Sequence, residues 1–85
     1  MNIEYSPKFE RLYKKLPEDI KILAVEQEKI FRKNPFDPKL KTHKLSGPLR
    51  NYWAFWIDYK YRLIFSFLNS KTVRFHIIGD HRIYK

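Results

Sequence analysis

The chain has 85 residues, 44% of them hydrophobic and 18% aromatic, and sets 18 Lys and Arg against nine Asp and Glu for a formal charge of +9. That length supports one core of marginal size and excludes a large multidomain enzyme, while the apolar content excludes disorder over most of the chain. Without Cys there is no disulfide framework, thiolate metal site or Cys nucleophile, and so much positive charge on a small body favours a polyanionic partner, either nucleic acid or an acidic protein.

The opening MNIEYSPKFERLYKKL has no long apolar stretch with a cleavage site. No later run approaches the ~18 apolar residues of a membrane span, so a soluble cytoplasmic protein is expected, consistent with the lack of Cys. Gly47 and Gly79 are the only glycines and no Ser-rich or Pro-rich tract is long enough for a linker, so residues 1–85 are expected to form a single domain.

Asn2 to Tyr5 reads as a short strand. Ser6-Pro7 supplies an N-cap and a proline at the first helical position. Phe9, Leu12, Tyr13 and Leu16 then fall on one helical face, with Lys8, Arg11 and Lys15 toward solvent. Pro17 interrupts, and Glu18 and Asp19 start a second helix with negative charge at its positive end. Its stripe of Ile20, Leu23, Ala24, Ile30 and Phe31 runs to Asn34-Pro35, where proline disfavours a helical residue before it. The two helices form a hairpin.

From Asn51 the pattern changes to aromatic and β-branched residues broken at Asp58–Lys60 and Asn69–Lys71, which predicts an antiparallel meander of three strands. A two-residue turn at Tyr59-Lys60 pairs Trp56 with Leu63 and Phe55 with Ile64; a turn at Asn69–Lys71 pairs Ser66 with Arg74 and Arg62 with Ile78. One face then carries Ala54, Trp56, Leu63, Phe65, Phe67, Val73, Phe75 and Ile77, packed under the helices. The other carries Trp53, Phe55, Arg62, Ser66, Arg74 and His76. The class is α+β: an N-terminal strand and helical hairpin on a twisted antiparallel sheet.

Residues Lys39 to Arg50 hold four basic side chains, among them Lys41, Lys44 and Arg50, and no acid. With Arg62, Arg74 and His76 they can line a phosphate-tracking groove, on which Trp53 and Phe55 stack unpaired bases; the plainer alternative is a solvated basic surface. His81 follows Gly79-Asp80 at the end of the last strand, and histidine is a residue type suited to acid or base work. His43, His76 and His81 have no i, i+4 partner and no Cys, so neither a metal nor another cofactor is expected.

The order and spacing of His43-Lys-Leu-Ser-Gly47, Asp58-Tyr-Lys-Tyr-Arg-Leu-Ile-Phe65 and Ile78-Gly-Asp-His-Arg-Ile-Tyr84 resemble the RelE/ParE toxin superfamily over essentially the whole chain, most of all its YafQ-like and RelE-like branch. The resemblance implies a type II toxin-antitoxin toxin that cuts messenger RNA on the ribosome and is neutralised by a cognate antitoxin with an acidic segment. Any DNA binding would then come through the antitoxin complex. It also implies roles: Arg62 on the scissile phosphate, His81 as general acid, Tyr84 as a stacking or orienting residue or a base, and His43 as a base or phosphate contact. Trp53 and Phe55 stand where RelE-like members present lysines, and Trp56 and Lys60 where YafQ-like members have a His and an Asp. The alternatives are a ParE-like toxin that poisons DNA gyrase and an inactive RNA- or ribosome-binding module.

Overall fold

Ser6 starts the first helix through its side chain: Oγ accepts from the Phe9 amide at 3.0 Å and donates to the His76 carbonyl at 2.9 Å. This one hydroxyl therefore caps a helix and ties it to the last strand. In the computed structural model, which describes residues 1–84, strand β1 (Asn2–Tyr5) leads into helix α1 (Pro7–Lys14), and Pro17 separates α1 from α2 (Glu18–Lys33). Glu18 and Asp19 lie in the first turn of α2 and Arg32 and Lys33 in its last, as the helix dipole favours. Asn34 is extended ahead of Pro35, which ends the helix.

Strands β2 (His43–Lys44), β3 (Trp53–Trp56), β4 (Tyr61–Phe67) and β5 (Thr72–Asp80) complete a five-stranded sheet in the order β1-β5-β4-β3-β2. The expected meander β3-β4-β5 is its centre, and the α+β class holds. The sheet is nonetheless mixed, since β1 pairs parallel with β5 and all other pairs are antiparallel. Both turns fall at the expected places. Asp58 Oδ1 accepts from the Lys60 and Tyr61 amides and Asn69 Oδ1 from the Lys71 amide, so each loop is closed by its own first side chain.

The register departs from expectation twice. The first loop has three residues, Asp58–Lys60, with the Ile57 amide bonded to the Tyr61 carbonyl. Trp56 therefore faces Arg62 and Phe55 faces Leu63, one residue from the two-residue-turn register. Ser66 does face Arg74, but His76 is an extra, unpaired residue at a β-bulge, beyond which Arg62 faces Gly79 instead of Ile78.

A one-residue slip exchanges sheet faces, and the face assignment changes accordingly. Phe55 is fully buried on the helix side, its ring 5.0 Å from that of Phe31, which also meets Phe65 at 4.9 Å and Phe75 at 5.4 Å. Trp53 lies on that side too, half-buried against Phe36 and Phe67. Ile57 and Ile78 join this core, and the stripes of α1 and α2 cover it as expected, except that Leu23 is exposed. Burial of each phenylalanine contributes roughly 1.5–3 kcal/mol, so this cluster is the main cohesive element of the fold.

Candidate functional site on the helix-free sheet face

The face turned away from the helices carries Ala54 and Trp56 from β3, Arg62, Ile64 and Ser66 from β4, and Arg74, His76 and Gly79 from β5. Its centre is Arg62. The guanidinium carbon stands 4.0 Å from the centroid of the Trp56 ring, and Nη1 donates to the Asp58 carbonyl at 2.6 Å and the Tyr61 carbonyl at 3.2 Å. The ring and the turn hold the fork from one side, and among the described residues no carboxylate neutralises it. Its other N–H groups keep their donors for an anion. Lys41 brings a second cation, Nζ 5.0 Å from the same ring centroid. It does so from a left-handed backbone (φ 52°), the one non-glycine residue with positive φ among those described, a strained position of the kind that collects at binding sites.

The chain end folds back onto this centre. Beyond β5 the residues His81–Tyr84 form a 3₁₀ turn. A Cβ on Gly79 would lie 2.6 Å from Ile83 Cγ2, so the missing side chain is what lets Ile83 seat on the strand. Tyr84 follows, half-buried, and the Arg62 charge acts on it: burial pushes its phenol above the usual range and Arg62 pulls it back less strongly. A phenol raised this way stays protonated at neutral pH, which suits hydrogen bonding or stacking better than proton abstraction. His81 is exposed at the start of the turn. Asp80 next to it grips Arg82, with Oδ2 2.7 Å from Nη2, which pulls the carboxyl down to about 2.

His43 lies on edge strand β2 opposite Ala54, on the same face. Its Nδ1 is 3.0 Å from the Lys41 carbonyl, which can only accept, so Nδ1 carries the proton. A neutral His43 therefore keeps a free lone pair on Nε2. Toward β1, His76 pairs with Ser66 Oγ at 2.7 Å and meets the Tyr52 ring edge-on at 5.0 Å. Burial, then the Arg74 charge, lowers its pKa. Arg74 itself bonds Glu4 at 3.0 Å.

The structure thus brings Arg62, Tyr84 and Lys41 together; His43 lies on the same face, Arg74 and His76 stand farther along it beside Ser66, and His81 is exposed at the start of the final turn. Arg50 is exposed in the loop before β3. Three expected nucleic-acid contacts fall elsewhere. Phe55 is sealed in the core, Trp53 packs on the helix side, and Lys44, which pairs with Trp53, lies on that side as well. The placements of Phe55 and Trp53 follow from the short-turn register, whereas Lys44 was read from the basic run alone. Trp56, assigned by that register to the core, is the aromatic residue beneath Arg62 on the basic face. Asp58 carried the clue: an Asp opening a turn bonds amides two and three residues on, which needs a loop longer than two residues. Among the described residues no group of His, Asp or Glu is placed to hold a metal ion, and no helix is long and apolar enough to cross a membrane.

No family model matches the sequence, and no curated protein does. Solved structures do match. YafQ from E. coli BL21(DE3) superposes with a TM-score of 0.80 at 23% identity, covering 98% of this chain and 96% of that one. A YoeB/ParE toxin from Agrobacterium tumefaciens gives 0.80 at 15% identity over 95% and 99%. YoeB in the YoeB-YefM complex from Staphylococcus aureus gives 0.77 at 21% over 95% and 97%. The chain shares the fold of these YafQ and YoeB structures over nearly its whole length.

Proposed function

We propose that the chain is the toxin of a type II toxin-antitoxin system and cuts messenger RNA on the ribosome without a metal ion. The observation that carries this reading is the Trp56–Arg62 pair with Tyr84 and Lys41 on the helix-free face, on a fold shared with YafQ and YoeB toxins. Arg62 holds the scissile phosphate and stabilises the charge of the five-coordinate transition state; its fork is set in place beforehand by two backbone carbonyls and a ring. His43 Nε2 takes the proton of the ribose 2′-OH, whose oxygen bonds to phosphorus as the bond to the 5′ oxygen breaks. His81 protonates that leaving oxygen. The products are a 2′,3′-cyclic phosphate and a 5′-hydroxyl. Tyr84 orients the RNA. Lys41, Arg50 and Arg74 track the flanking phosphates, and the ribosome aligns the 2′-OH for attack, so free RNA is cut poorly.

A protein of charge +9 that harms its host needs a mask. Structural neighbours are held in complexes with antitoxins, DinJ with YafQ among them, and an acidic antitoxin segment that folds over the basic face is the expected partner.

Primer extension on a defined message in a reconstituted translation system tests the reading, with and without ribosomes and with wild type beside His81→Ala. Ribosome-dependent cuts that weaken about 100-fold in the variant are expected. If wild type makes no cut under either condition, the gyrase-poison or inactive-binder alternatives take its place.

A further inference from the structure

The β-bulge does more than shift the register. Phe75 and Ile78 both enter the core, so the two residues between them, His76 and Ile77, turn together to the other side. There they border a cavity of about 340 Å³ floored by the buried Ile64 and walled by Tyr52. Lys8 and Arg74 stand at its rim. Its floor is two residues along β4 from Arg62, about 7 Å at strand rise, which is one nucleotide step from the phosphate site.

We propose that this cavity is a nucleobase pocket, seating the base of the nucleotide next to the cut while Arg74 and Lys8 take its outer phosphate. The assignment rests on the RNA-cleaving reading above and adds a subsite to it. An apolar floor and an aromatic wall suit the faces of a base. His76 supplies edge recognition: Ser66 Oγ holds one ring nitrogen at 2.7 Å and leaves Nδ1 for the base. The cationic rim favours a ligand that carries phosphate over an apolar side chain. Arg74 spends one nitrogen on Glu4 and keeps other donors.

The test uses the full chain and the four nucleoside 3′,5′-bisphosphates, each a base flanked by two phosphates, titrated by NMR. Shifts at Tyr52, His76 and Ile77 are expected, with unequal affinity among the four bases. Tyr52→Leu, which keeps the cavity apolar, should weaken the preferred one about tenfold or more and redistribute the cuts on a message. Arg62→Ala should weaken all four alike and keep their ranking. If Tyr52→Leu unfolds, His76→Gln replaces it, with loss of ranking as the expected result. Equal binding of all four that Tyr52→Leu leaves unchanged would overturn the pocket. So would shifts at these residues with an acidic peptide but not with the bisphosphates. If wild type cuts no message, the RNA-cleaving reading falls separately, and the titration alone decides the pocket.

Discussion

Phe55 and Trp56 are consecutive residues of one strand and serve opposite ends. Phe55 sits in a dry cluster of phenylalanines beneath the helices, and Trp56 lies under an arginine on the uncovered face. The helix side is built by shape, with buried rings in contact. The open side is built by charge, with cations held over rings and against carbonyls. Strand alternation makes this economical: a sheet of a few strands gives stability on one side and recognition on the other, and substitutions on the two sides should separate these properties.

The sharpest break is Phe55→Ala against Trp56→Ala. The first should cost roughly 3–5 kcal/mol of folding stability through the cavity it leaves. The second should cost far less stability but impair RNA cleavage. Urea melts beside cleavage assays decide it, and equal destabilisation by both would erase the distinction between the faces. Arg62→Ala comes next, with transition-state stabilisation reduced by about 2.7–4 kcal/mol in single-turnover rate and a melting curve near wild type. A normal rate would remove Arg62 from the chemistry.

Ser6→Ala tests the link between the layers. Loss of the cap should cost about 1 kcal/mol, somewhat more because the His76 carbonyl also loses its donor; a melt indistinguishable from wild type would show that hydroxyl to be idle. The smallest effect concerns pH. The native fold disfavours charged His76, so the unfolded chain binds the proton more readily, and stability falls as pH drops through about 6.5 toward the lower native value. The side chain is only partly buried, so the loss is small. Comparing wild type with His76→Gln between pH 7.5 and 5.5 isolates it, and parallel losses in both proteins would assign the pH dependence elsewhere.

Much of the fold was legible because its signals are local. Ser6-Pro7, Pro17 and Asn34-Pro35 bound the helices, Phe9 to Leu16 face the core, and Asp58 and Asn69 open the two turns. Arg62, Tyr84 and Lys41 were found as candidate site residues through their resemblance or charge. What escaped was counting. One more loop residue moved Phe55 inward and Trp56 outward, and the bulge at His76 has no glycine or other turn residue to mark it. The edge strand His43–Lys44 is too short to show a period of its own. Tyr52 gave no sign either, since its place beside His76 depends on a loop folding across three strands.

The bulge has a consequence for how β5 tolerates change in length. A strand is written in a two-letter alternation, and His76 is an inserted letter, so β5 is read in one frame before it and in the other after it. Deleting that letter would leave a smoother ribbon with every other pairing kept, Ile64 opposite Ile77 and Arg62 opposite Gly79, and would take away only the imidazole beside Ser66 and Tyr52. The deletion would mend the ladder and strike one word from the open face while the rest of the page stayed in place.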